Sequence, residues 1–175
     1  MSTQVKTALE TTIQNLKSNP DQGKAIFETN AILGENVKVN VGSRQFEIKF
    51  DEPQALGGID SAPNPVEYVL ASLGACQAIV YRALASLKGI DIESVNVNTK
   101  GHLNLNGFLG LDGNTRPGFS KVEFETTIVS NEPTERINKL ASQVEALCPV
   151  LDIIANKVEV NGKVIIQKPA QIEAS

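Results

Sequence analysis

The chain has 175 residues, 41% of them hydrophobic, with 16 Lys and Arg against 20 Asp and Glu for a net charge of -4. That suits one compact domain with a substantial core and excludes fibrous and disordered classes. Lys and Arg are scattered rather than clustered, so neither nucleic acid nor an anionic membrane surface is expected as a partner.

In chain order, Val5, Leu9, Ile13 and Leu16 fall at helical spacing, interrupted by Glu10 and Asn15. Residues 1–20 are therefore read as an amphipathic helical extension, neither a signal peptide nor an Arg-rich transit segment, and 21–175 as a single domain. A cytoplasmic protein is expected, because no apolar stretch is read as reaching the roughly 20 residues of a membrane span. Residues 24–50 read as strands: Val37, Val39 and Val41 alternate with polar residues, Gly42 and Ser43 supply a two-residue turn, and Phe46, Ile48 and Phe50 alternate again.

The loop 51–64 ends in a helix start, with Asn64 as cap, Pro65 in the first turn and Glu67 three residues after the cap. From Val66 to Leu87 only Glu67, Gln77 and Arg82 are strongly polar, so this helix is expected to be central and buried. Gly89 ends it. Two alternating stretches follow, Val95/Val97 and Val122/Phe124/Thr126/Ile128, separated by a glycine-rich loop, 106–118. A helix from Pro133 to about Leu147 presents Ile137, Leu140, Val144 and Leu147 on one stripe. Pro149 opens a further short helix through Ile154, and a last hairpin turns at Asn161-Gly162. Strands and helices come in blocks without βα alternation, so the fold class is α+β.

Chemistry rests on few residues. Two cysteines are too few for a secreted disulfide scaffold, they lack CxxC spacing, and the one histidine, His102, leaves zinc short of ligands. No metal is expected, and Cys76 and Cys148 are either inert core thiols or a redox pair. Cys76 shares its helical face with Val69, Ser72, Leu73, Ile79 and Val80, which favours the neutral thiol unless a cation is near. With Gly42-Ser43 as the turn, Arg44 faces Val41 and points inward with the apolar pairs; it is then either the cation or a side chain that snorkels outward. Arg82 and Arg116 are its rivals. Cys148, just before Pro149, lies at a helix start whose free N–H groups favour a thiolate. Glu67 is explained by the capping box, and it lies nine residues before Cys76, about 180° around the helix. His102, on the polar side of its strand, is assigned no role.

The run Gly57-Gly58-Ile59-Asp60-Ser61-Ala62-Pro63-Asn64-Pro65-Val66-Glu67, continuing through Leu73-Gly74-Ala75-Cys76, with Cys148-Pro149-Val150 later in the chain, resembles the OsmC/Ohr family (osmotically inducible and organic hydroperoxide resistance proteins). The resemblance spans roughly residues 26 to 166 and leaves the N-terminal helix outside. It implies an OsmC-like fold, antiparallel sheets packed around a central helix carrying Cys76, in an intertwined homodimer with two sites at the interface. It implies cofactor-free chemistry in which Cys76 attacks an organic hydroperoxide and Cys148 resolves the sulfenic acid to a disulfide, which an external dithiol (a small thiol, a lipoyl group or a thioredoxin-like protein) then reduces. Arg44 is implied as the arginine that holds the thiolate, and Glu67 as the nearby acid. In the hydroperoxide-reducing members a glutamate directly follows the NP of the helix start; here Val66 occupies that place and the acid comes one step later. That departure resembles the OsmC-like branch, and it leaves a second reading open, a small-ligand-binding protein with weak or no peroxidase activity.

Overall fold

The structure, a computed structural model, describes residues 2–168. Helix α1 (Thr3–Ser18) begins at Ser2, whose hydroxyl accepts the Val5 N–H, and it lies against the central helix. Strands β1 (Asn30–Leu33), β2 (Val39–Ser43) and β3 (Phe46–Phe50) form one antiparallel sheet in that order. The β2/β3 turn sits two residues later than the sequence suggests. Val39 pairs with Phe50, Val41 with Ile48 and Ser43 with Phe46, so the turn is Arg44-Gln45 and Val37 falls outside β2. The shift is even, so each apolar side chain keeps its face, and Val and Ile now oppose one another where the earlier register set Arg44 against Val41. Arg44 therefore leaves the core face. It takes φ of 54° in the turn, exposed, with its guanidinium over the Phe46 ring at 5.1 Å.

The loop after β3 is held by Asp51, 1% exposed, whose carboxylate accepts the Ser61 hydroxyl at 2.7 Å and the N–H groups of Ser61, Glu52 and Ile59. Those donors, the Ser61 hydroxyl foremost, hold its pKa down to about 2. This clasp delivers the chain to helix α2 (Pro65–Lys88). The capping box forms in both directions, Glu67 N–H to Asn64 Oδ1 at 2.9 Å and Asn64 N–H to Glu67 Oε2 at 2.8 Å, and Gly89 closes the helix with φ of 62°.

Strands β4 (Ser94–His102) and β5 (Lys121–Val129) pair antiparallel over their full length and lie against α2. Gly74 faces β4, where a Cβ would make ordinary contact with the Val97 carbonyl at 3.5 Å, and the Thr99 hydroxyl donates to the Leu70 carbonyl at 3.3 Å. Between these strands lies a short helix, α3 (Leu105–Phe108). Helix α4 (Thr134–Leu147) covers another flank of α2, and the core forms there from Tyr81, Ala85, Ile90, Ile92, Leu140 and Val144. Helix α5 (Pro149–Ala155) follows after one residue, Cys148.

Three expectations need correction. Helix α2 is central but not buried all round. Leu73, Gln77 and Tyr81 are buried while Ile79 is 68% exposed, because the elements packed on α2 leave one side of the cylinder uncovered. By length and composition α2 would also suffice to cross a membrane, contrary to the sequence reading, although its buried stripe is occupied by β4 and α4. Finally, residues 157–168 form no hairpin. Val160, Val164 and Ile166 stand 86–89% exposed, and an isolated two-stranded hairpin with nothing beneath it gains little by pairing.

Candidate functional site

Helices α2 and α5 pack together, and at their contact the thiols of Cys76 and Cys148 come within reach of one another. Both are free thiols; Cys76 is half-buried and Cys148 is 1% exposed. The Cys148 position follows from the chain locally. Pro149 cannot extend α4 and is suited to start α5, so the residue between them turns at the helix junction, with extended backbone and its side chain in the core.

The electrostatics at Cys148 run against the sequence expectation. Burial pushes its thiol pKa up, the N–H groups of Leu151 and Val150 at the start of α5 oppose that, and the adjoining Cys76 thiol pushes it up again. No full cap hydrogen bond to the sulfur forms. Desolvation outweighs the helix terminus, and the net shift is upward.

The other expected residues lie apart within the chain. Arg44 lines a groove with Phe27, Glu28, Thr29 and Asn30 that no residue of α2 shares. Glu67 is engaged at the α2 cap, nine residues and so about 13 Å along the helix from Cys76. Of the rival arginines, Arg82 donates to the Ile92 carbonyl at 3.2 Å, whereas Arg116 lines a cleft beside the thiol-bearing helices. His102 contacts Glu123 at 2.7 Å on the outer face; Lys121 at 2.5 Å and then His102 draw the Glu123 pKa down to about 2. Among the described residues no group of three or more His, Cys, Asp and Glu could hold a metal ion.

Sequence reasoning missed Gln77. It is fully buried next to Cys76 in sequence, and neither atom of its amide has a hydrogen-bond partner among the described residues. Such an arrangement costs about 1–3 kcal/mol. A glutamine on a buried helical stripe was its only signal.

An α+β chain built on a central helix, with two free thiols meeting where that helix touches a late helix start, belongs to a class of small thiol proteins. The family is identified by residues 58–163, which match the model for OsmC-like proteins, and the chain belongs to that family. No match is found among curated proteins. Similar solved structures include an OsmC-like protein from Mycoplasma pneumoniae, with 21% identity, TM-score 0.66, and coverage of 75% of this chain and 89% of that one. An organic hydroperoxide resistance protein OsmC from Legionella pneumophila shows 21% identity, TM-score 0.57 and coverage of 74% and 89%. A putative organic hydroperoxide resistance protein from Vibrio cholerae, with captopril bound in one of its active sites, shows 18% identity, TM-score 0.55 and coverage of 74% and 84%.

Proposed function

We propose that this chain is a cytoplasmic thiol peroxidase that reduces organic hydroperoxides and protects against oxidative stress. The observation that carries the reading is the meeting of Cys76 with Cys148 at the α2–α5 contact. The Cys76 thiolate attacks the distal peroxide oxygen, an S–O bond forms as the O–O bond breaks, and the alkoxide leaves as alcohol after taking a proton. The Cys148 sulfur then attacks the Cys76 sulfenic acid, releasing water and forming a disulfide, and an external dithiol takes over the oxidation in two exchange steps. Apolar Val69 and Ile79 on the exposed side of α2 favour an organic peroxide over hydrogen peroxide. Consumption of cumene hydroperoxide with a dithiol is expected at a measurable rate in wild type and at the uncatalysed rate in Cys76→Ser. Equal rates would sink the reading.

The proposal includes a homodimer. The chain exposes 13512 Å², whereas a compact monomer of 18.8 kDa would expose about 8300 Å². The excess includes Ile26, Phe27, Ile32, Leu33 and Ile79, each more than half exposed, and a second copy is the occupant that would cover such surface without a heterologous partner. Sedimentation velocity is expected to give a single species of twice the chain mass at micromolar concentration. A monomer there would overturn this part of the proposal, and with it Arg44 reaching a thiolate across an interface.

A further inference from the structure

Gln77 occupies the buried stripe of α2 with Leu73 and Tyr81, at 0% exposure. Its neighbours along the helix fix what lies opposite it. Cys76, the residue before it, meets Cys148, and Tyr81, one turn after it, packs in the cluster with Leu140 and Val144 of α4. Helices α2 and α4 therefore run antiparallel past one another. Gln77, about 6 Å along the axis from Tyr81, stands level with the stretch from Val144 to Cys148, and Cys148 ends that stretch 1% exposed.

A buried amide without a partner carries a standing cost that an apolar side chain of the same shape would remove. Glutamine has two N–H donors to offer. A thiol sulfur is too weak an acceptor to hold them, whereas a thiolate accepts strongly. Cys76 is the nearer thiol in sequence, but side chains at successive helical positions diverge by about 100° and do not face each other. Cys148, across the helix contact, is the thiol on the buried side. Burial opposes its ionisation, and the N–H groups of Leu151 and Val150 relieve that only in part. The titratable groups on the elements around it are Cys76 and Tyr81 on α2, Glu145 on α4, Asp152 on α5, and Arg116 and Lys121 along the cleft that Leu151 lines. Of these Cys76 alone acts on the Cys148 thiol, and it disfavours the thiolate. No cation among the described residues supplies what the amide can.

We infer that the Gln77 amide donates to the Cys148 sulfur as that sulfur ionises, and that Gln77 thereby sets the rate at which Cys148 resolves the Cys76 sulfenic acid. In that step the thiolate attacks the sulfenic sulfur, the S–S bond forms as the S–O bond breaks, and the departing hydroxide takes up a proton as water. The rate rests on the peroxidase reading; stabilisation of the thiolate does not.

The test is Gln77→Met, which keeps an unbranched side chain of similar length and removes its donors. In the full chain carrying Cys76→Ser and cysteine labelled with carbon-13 at Cβ, NMR follows the titration of Cys148. Its midpoint is expected about one pH unit or more higher in Gln77→Met, a tenfold smaller thiolate fraction at neutral pH and the worth of a charge-assisted bond. The thermal midpoint of Gln77→Met is expected to rise, because an unpaired buried amide is gone. In the chain with both cysteines, one equivalent of cumene hydroperoxide is expected to give the disulfide about tenfold more slowly in Gln77→Met at neutral pH. The two rates should converge in the alkaline range, and oxidation of Cys76 to the sulfenic acid should keep its wild-type rate. An unchanged Cys148 titration, a lowered thermal midpoint, or a resolving step slowed equally at every pH would each overturn the inference. A wild-type chain that forms no disulfide with peroxide but shows the titration shift would defeat the peroxidase reading and leave stabilisation of the thiolate standing.

Discussion

Replacing Cys148 by Ser is expected to let one equivalent of organic hydroperoxide react and then to stop the cycle. In wild type the Cys76 sulfenic acid forms against a neighbouring sulfur, so the oxidised chain is expected to lose two hydrogens in intact mass, the mark of a Cys76–Cys148 disulfide. Without the second sulfur the same oxidation ends with one oxygen added to Cys76, which a further equivalent of peroxide carries on to the sulfinic acid. Steady-state turnover with a dithiol is expected to fall by an order of magnitude or more, unless that dithiol reaches the half-buried Cys76 directly. The upward shift at Cys148 adds a pH dependence. Its pKa lies above the ordinary thiol value, so the fraction ionised at neutral pH is reduced, and disulfide formation is expected to quicken as pH rises through the alkaline range. Intact mass spectrometry after quenching with an alkylating agent reads both results. A disulfide-sized mass change in Cys148→Ser, or a resolving step indifferent to pH, would contradict the assignment.

Leu140→Ala is expected to produce the largest loss of stability among single core changes. Leu140 is fully buried on α4 within the cluster of Tyr81, Ala85, Ile90, Ile92 and Val144, the one place where α2, α4 and the residues after Gly89 close on each other. Removing its isobutyl group costs about 2–5 kcal/mol from lost transfer energy and the remaining cavity, which lowers Tm by on the order of 10 °C for a domain of this size. Gln143→Ala, exposed on the same helix, is expected to stay within about 0.5 kcal/mol. Thermal unfolding followed by circular dichroism separates the two, and similar midpoints for both variants would mean that the α2–α4 contact carries little of the fold.

Much of the architecture was legible because the signals were local. Asn64, Pro65 and Glu67 specify the start of α2 through bonds between residues three apart, and both bonds are present. Gly89 supplies the positive φ that ends it, and the alternation in β4 and β5 needs only the period of a strand. The β2/β3 register was less legible. Gly42 suggested an early turn, but the observed register sets Ile48 rather than Arg44 opposite Val41 and carries Arg44 into the turn. The C-terminal hairpin failed for a related reason, since Asn161-Gly162 can shape a turn and cannot supply the surface its strands would need.

The sequence by itself determined helices α1, α2, α4 and α5, the capping box of α2, the α+β class and the two cysteines on which any chemistry turns, because caps, periods and residue types act within a few residues. Only the tertiary structure decided that Cys76 and Cys148 meet, that burial rather than the helix terminus governs the Cys148 thiol, and that Arg116 rather than Arg44 stands beside the thiol-bearing helices within the chain. Those facts depend on how α5 returns to α2 and how the 106–118 loop folds over β5. Such contacts join residues dozens of positions apart, and no spacing along the chain encodes them.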